Sequence, residues 1–193
     1  MSLTLLGALT ILASNPILGH VCTPRDVIAQ NLEIAPDAWK LMSQTEGKFF
    51  LVYHSEDGTF HRSYPCLNAI RNGPATPTTK EAEYYYSYRT SSGFMRDKRN
   101  VKLDKKDDAY KHYNEFTIDL SSGADQNVQD FQVIYTDYSD CILFWYWKLG
   151  YQVWVRGSYL KENRKVPSLC SLLYELLAQG KKHVVYDWKR CTL

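Results

Sequence analysis

At 193 residues, with 45% hydrophobic and 14% aromatic side chains, the chain has enough apolar material for one well-buried core. Its 23 Lys and Arg against 21 Asp and Glu leave a formal charge of +2, so global charge gives no reason to expect a nucleic acid or another polyanion as partner. Fifteen tyrosines favour strands, because aromatic side chains suit a half-buried pleated surface, and they can give a pocket both an apolar body and a hydroxyl.

The chain opens on an apolar run, Leu3 to Ala13, broken only by Gly and Thr. Eleven residues fall short of the roughly 20 needed to cross a bilayer but match the core of a secretion signal. The expectation is a signal over residues 1–20, cut near Gly19 or His20, followed by a single domain over 21–193. Export makes disulfides the default state of the cysteines. Cys22, Cys66, Cys141, Cys170 and Cys191 show no Cys-x-x-Cys spacing, which argues against zinc and against thioredoxin-type chemistry. The odd count leaves one thiol over, and Cys22 is the natural candidate because it precedes the strand-and-helix body.

Pro36 to Met42 suits a short helix with Asp37 near its start to accept free backbone N–H bonds. Lys48 to His54 reads as a strand, Asp57-Gly58 as a hairpin turn, and His61 to Ile70 as the returning strand. The run 72–79, with two prolines, a glycine and an asparagine, is a loop. Ala82 to Arg89 is a strand whose period of two puts Tyr84, Tyr86 and Tyr88 on one face. The charged stretch from Arg96 to Asp108 reads as a solvated strand and loop. Four further strands (113–120, 128–136, 140–148 and 151–157) follow at the spacing of a meandering all-β fold. Eight strands joined by short turns suggest an antiparallel up-and-down barrel, wide enough for one small ligand and without open edges. Ser168 to Gln179 then carries Leu169, Leu172, Leu173, Leu176 and Leu177 at helical spacing, an apolar stripe expected to lie against the outside of the barrel.

Asp37-Ala38-Trp39-Lys40, Ala82-Glu83 ahead of an aromatic strand, Tyr151-Gln-Val-Trp154 and the spacing of Cys66, Cys141, Cys170 and Cys191 resemble the tick salivary lipocalins of the histamine-binding group. The resemblance runs from Ala35 to Cys191. It implies an eight-stranded lipocalin barrel with a C-terminal helix, disulfides Cys66–Cys191 and Cys141–Cys170, secretion in saliva and capture of a host mediator. Trp39 is expected as a plug at the closed end. Amine-binding members share a Cys-Asp-aliphatic strand start and a later Glu-Leu-Trp or Glu-Leu-Tyr. Here those positions read Cys141-Ile142-Leu143 and Gln152-Val153-Trp154, so both acids have become neutral. A protonated amine buried in a dry barrel needs carboxylates to offset its lost hydration, and glutamine supplies no charge.

Two acids are candidates to compensate: Asp57 at the turn near the mouth, and Asp130 on the face it shares with Gln132 and Ile134. Each also has a plain role, as turn former or solvated surface residue. By alternation from the family's inward-facing positions, Phe116, Ile118, Ile142, Phe144, Tyr146, Gln152, Trp154 and Arg156 are expected to point into the barrel. Such a lining suits a fatty-acid-like or eicosanoid ligand, with Arg156 gripping its carboxylate.

No His-Glu-x-x-His, Gly-x-Ser-x-Gly or Gly-x4-Gly-Lys motif occurs, so nothing points to an enzyme, a metal or a cofactor. Three classes of function stand: a carrier of a lipophilic or anionic mediator, the same fold holding histamine or serotonin, and an inhibitor that contacts a host protein through loops 72–79 and 96–108.

Overall fold

The computed structural model describes residues 36–106, 110–120 and 127–191. The expected secretion signal and Cys22 lie outside them. The chain forms helix α1 (Ala38–Gln44), strand β1 (Lys48–His54), a single helical turn α2 (Phe60–Ser63), strands β2 (Asn68–Arg71), β3 (Glu81–Thr90), β4 (Gly93–Asp104), β5 (Glu115–Asp119), β6 (Val128–Thr136), β7 (Cys141–Tyr146) and β8 (Gly150–Arg156). Helices α3 (Gly157–Asn163) and α4 (Ser168–Ala178) and a two-residue strand β9 (His183–Val184) follow.

Strands β2 to β8 pair antiparallel in chain order, and β1 bonds to both β8 and β2, closing an eight-stranded up-and-down barrel. With neighbours on both sides, β1 leaves no bare sheet edge at the seam. β9 adds beside the end of β1, pairing Tyr53 with Val184 and His54 with His183. The tight turn between β7 and β8 requires Gly150. Its φ is +66°, and a Cβ there would sit 2.1 Å from Ser55 Oγ, the atom that accepts from the Tyr151 amide.

The closed end is sealed by α1. Asp37 Oδ1 accepts from the Trp39 and Lys40 amides at 2.9 and 3.1 Å, capping the helix as its position promised. The Asp37 and Ala38 amides donate to Tyr138 Oη and the Tyr113 carbonyl, holding the helix across the strand ends. Trp39 is half-buried there, with Lys80 Nζ 4.0 Å above its ring.

Two apolar clusters occupy the two faces of the sheet. The inner one includes Leu41, Phe49, Leu51, Leu103, Phe116, Ile118, Val133, Ile142, Phe144 and Trp154. The outer one joins Phe50, Tyr53, Leu143, Val153 and Val155 to Leu173, Tyr174 and Leu177 of α4. Disulfide Cys141–Cys170 ties α4 to β7, and Cys66–Cys191 ties the C-terminal segment to the start of β2, with Cα separations of 6.5 and 5.3 Å.

Three local expectations are corrected. Residues 61–67 are not strand: Phe60–Ser63 turns once as helix, and only Asn68–Arg71 pairs as a strand, with the Leu67 and Pro65 carbonyls still accepting from the Leu51 and Arg89 amides. Asp57 has φ +54° and bonds to Thr59, which starts that helical turn and not a hairpin. The leucine stripe is split: Leu173 and Leu177 pack inward with Cys170, Tyr174 and Ala178, whereas Leu169, Leu172 and Leu176 face outward. The packed side is chosen by Tyr174 and by the disulfide, so the leucine count alone misleads. Helix α3 and strand β9 had no counterpart in the sequence reading.

Candidate functional site

The barrel interior holds two adjacent chambers that share part of their walls. The inner one, of about 90 Å³, is walled by Phe49, Ala69, Tyr84, Phe116, Ile142 and Phe144, among others, with Leu41, Thr45 and Gly47 at the closed end. The outer one, a vestibule of about 690 Å³, opens at the mouth between α2, the β3–β4 hairpin and the β7–β8 turn. Tyr86, Ile118, Phe131 and Trp154 line both and form the waist between them.

Of the residues expected to face inward, Phe116, Ile118, Ile142, Phe144 and Trp154 line the inner chamber, and Ile118, Tyr146, Gln152 and Trp154 line the vestibule. Alternation on β5, β7 and β8 places them there, since each contributes every second residue to the cavity. Phe116 meets Phe144 edge to face, with ring centroids 5.4 Å apart. Asp57 is on the vestibule wall, where Thr59 N–H and O–H bonds hold its carboxyl below the usual carboxylate range.

Three expectations fail. Asp130 and Gln132 lie outside the barrel: Asp130 is exposed, and buried Gln132 accepts from Lys106 Nζ at 3.2 Å and donates to Tyr110 Oη at 3.5 Å. The inward residues of β6 are Gln129, Phe131 and Val133, one step out of phase, and the apolar character of the last two was the available signal. Arg156 shares Trp154's strand but ends it at the closed rim. There its guanidinium pairs with Asp140 at 3.6 Å and lines a separate outer cleft with Glu46, Lys48 and Lys161.

Sequence reasoning missed Arg71 and the inward role of the tyrosines on β3. Arg71 pairs with Tyr84 across β2 and β3, lines the inner chamber and is the one charged side chain among its lining residues. One of its N–H groups donates to the Met42 carbonyl, and no described residue accepts a hydrogen bond from the rest. The Tyr84 and Tyr86 hydroxyls bond to no described residue. Burial pushes Tyr84 up to about 12 and Tyr86 higher still, so both stay neutral and act as donors at physiological pH. Gln152 is fully buried; its Oε1 accepts from Trp154 Nε1 at 3.2 Å, and its Nε2 donor has no partner within the protein.

Arg71 and the Gln152 amide leave donors open in the cavity, the Tyr84 and Tyr86 hydroxyls can donate or accept there, and Gln129 on the vestibule wall carries both a donor and an acceptor. Asp57 and Asp97, the acids on the vestibule wall, are engaged by Thr59 and Arg99. Among the described residues no group of three or more His, Cys, Asp or Glu side chains is placed to hold a metal ion.

The sequence model of the tick histamine-binding protein family matches residues 29–193. The chain belongs to that family. No curated protein matches it by sequence. Among solved structures, AM182 in its serotonin complex has a TM-score of 0.61 at 14% identity, over 79% of this chain and 91% of that one. The siderocalin Ex-FABP gives 0.53 at 14% identity, covering 80% and 99%. Insecticyanin from the tobacco hornworm Manduca sexta gives 0.55 at 13% identity, covering 79% and 82%. At such identities these likenesses establish the lipocalin fold.

Proposed function

We propose that this lipocalin is exported in saliva as a single domain and sequesters a small host mediator of lipophilic character with an anionic head, of the eicosanoid or fatty-acid class. It is a carrier and catalyses nothing. The observation that carries this reading is that Arg71 is, among the described residues, the lone charge lining an inner chamber that is otherwise apolar apart from a few hydroxyls, with no carboxylate. A carboxylate set against Arg71, with Tyr84 and Tyr86 as further donors, exchanges its hydration for charge-assisted hydrogen bonds. The inner chamber alone is smaller than the roughly 300–1,000 Å³ of a site for a drug-sized ligand, and the vestibule falls within that range. The head therefore sits inside and the chain threads the waist to lie along Tyr88, Phe131 and Tyr146.

Calorimetric titration with arachidonate and with histamine tests this. Saturable arachidonate binding is expected, with affinity about 10- to 100-fold lower in Arg71→Met, since a lost charge-assisted bond is worth about 1.5–3 kcal/mol. The uncharged alcohol of the same chain length should bind both forms equally. Tight histamine binding without arachidonate binding overturns the reading.

A second reading, amine capture, draws on the serotonin-bound neighbour and on Asp57 and Asp97 at the vestibule wall. It requires those acids to leave their present partners, and it predicts that Asp57→Asn and Asp97→Asn abolish serotonin binding.

A further inference from the structure

The large apolar side chains left exposed are gathered, in part, at one end of the molecule. Phe94 (56% exposed) and Met95 (50%) sit at the start of β4 in the β3–β4 hairpin, and Trp147 (70%) sits in the β7–β8 turn. Tyr64, just after α2, is also exposed. Met95 and Tyr64 line the vestibule, and Phe94 and Trp147 adjoin vestibule residues Met95 and Lys148 in the chain. Tyr64 rests partly on Phe60 and Tyr88, and Trp147 on Tyr146, yet each keeps a large part of its surface in water, and Phe94 and Met95 have no ring contact among the described residues; a binding site buried in the barrel does not need this exposure.

Cations accompany this ring. Lys148 and Arg96 are on the vestibule wall; Lys148 makes no salt bridge to a described residue, though its charge acts on Asp57, and Arg96 lies 3.6 Å from the centre of the Tyr85 ring with no carboxylate partner among the described residues. On the acidic side, Asp97 is neutralised by Arg99, and Asp57 is held by Thr59. Exposed Trp, Tyr, Phe and Met interspersed with unpaired Lys and Arg is the composition of a surface that settles into the headgroup layer of a bilayer. Aromatic rings lie at that depth, and basic groups are drawn to anionic lipid.

We propose that the open end of the barrel docks on membranes carrying anionic lipid, so that the vestibule faces the bilayer and takes its ligand from it. The proposal rests on the lipophilic reading above for its purpose, but the docking itself does not need that reading. A ligand with a long apolar chain is concentrated in membranes, and a mouth held against the surface spares it a passage through water. Commitment to a lipid surface over a protein follows from the charge complementarity and from the placement of the ring around an opening. A protein contact has no need to encircle the mouth.

Flotation of the delipidated full-length protein tests this, with vesicles of phosphatidylcholine alone and of phosphatidylcholine containing 30% phosphatidylserine. The anionic vesicles are expected to bind at least fivefold more protein, and raising the salt should remove most of that preference. The double variant Phe94→Ser/Trp147→Ser should bind them at least tenfold more weakly while keeping the far-UV circular dichroism and the arachidonate affinity of the parent in solution. A control, Leu172→Ser/Leu176→Ser on the outward side of α4, should bind vesicles as the parent does. No vesicle binding by the parent, equal binding by the Phe94/Trp147 variant, or loss in the α4 control each overturns the proposal; the first leaves the ring to a protein partner. Vesicle binding as expected with no arachidonate taken up in solution supports docking and removes the fatty-acid reading instead.

Discussion

The two faces of one ribbon behave differently. On β8, Val153 and Val155 point outward into a layer closed by Leu173, Tyr174 and Leu177, where side chains meet with essentially no exposure. Gln152 and Trp154, alternating with them, point into a hollow that holds unpartnered donors. Close packing supplies stability and open volume supplies binding, and a strand with period two lets one stretch of backbone serve both. The difference implies that damage to the outer layer costs stability first, whereas damage to the inner face costs affinity first.

The sharpest way to break that division is Tyr174→Ala. The side chain is fully buried, its ring lies edge-on to Tyr53 at 4.5 Å, and its hydroxyl donates to the Lys181 carbonyl at 2.6 Å. Removing it opens a cavity and strands an acceptor, at a cost of about 3–5 kcal/mol by urea denaturation. Arachidonate affinity measured well below the melting transition should not change. A parallel loss of affinity would show that the two faces are mechanically one. Next in size is Cys141→Ser with Cys170→Ser. This disulfide spans a sequence separation of 29, so its loss should lower stability by about 3 kcal/mol through the freed unfolded chain. Urea denaturation of the double variant checks it, and an unchanged midpoint would mean that the packing of α4 holds the helix without the covalent tie.

Legibility in the sequence divides along similar lines. The barrel, the cap at Asp37 and the inward positions of Phe116, Ile118, Ile142, Phe144 and Trp154 follow from periodicity and family resemblance, because alternation is local and uninterrupted on β5, β7 and β8. The phase of β6 was lost: Asp130 and Gln132 invite a polar-pocket reading, yet Phe131 and Val133 face in, and a register shift between Val133 and Tyr135 breaks the alternation beyond them. Arg71 was illegible for a different reason. Its place depends on pairing with Tyr84 across the intervening loop 72–80, and its strand is only four residues long. Arg156 had the right face but the wrong height, since α3 begins at the next residue and fixes it at the rim. What the sequence hid is long-range register, which no local pattern encodes.

The mildest probe of the contrast is pH, through His54. It sits on the mouth end of β1, fully buried, its Nδ1–H donating to the Glu56 carbonyl and its Nε2 without a partner. Burial lowers its pKa to about 4, helped by the nearby His183 and His61 and opposed by the Glu56 bond and by Asp57. The unfolded chain takes up the proton near pH 6.5, so the folded state is at full stability above that value. It loses stability as pH falls from about 6.5 toward about 4. Between pH 7 and pH 5 the loss is about 2 kcal/mol for this group alone. Urea denaturation at the two pH values checks it, and His54→Gln should flatten the dependence. A slope that survives the substitution would clear His54 of the effect. A slope that vanishes would establish that the inner side of the mouth, unlike the dry outer seam, owes part of its stability to an imidazole kept neutral by its surroundings.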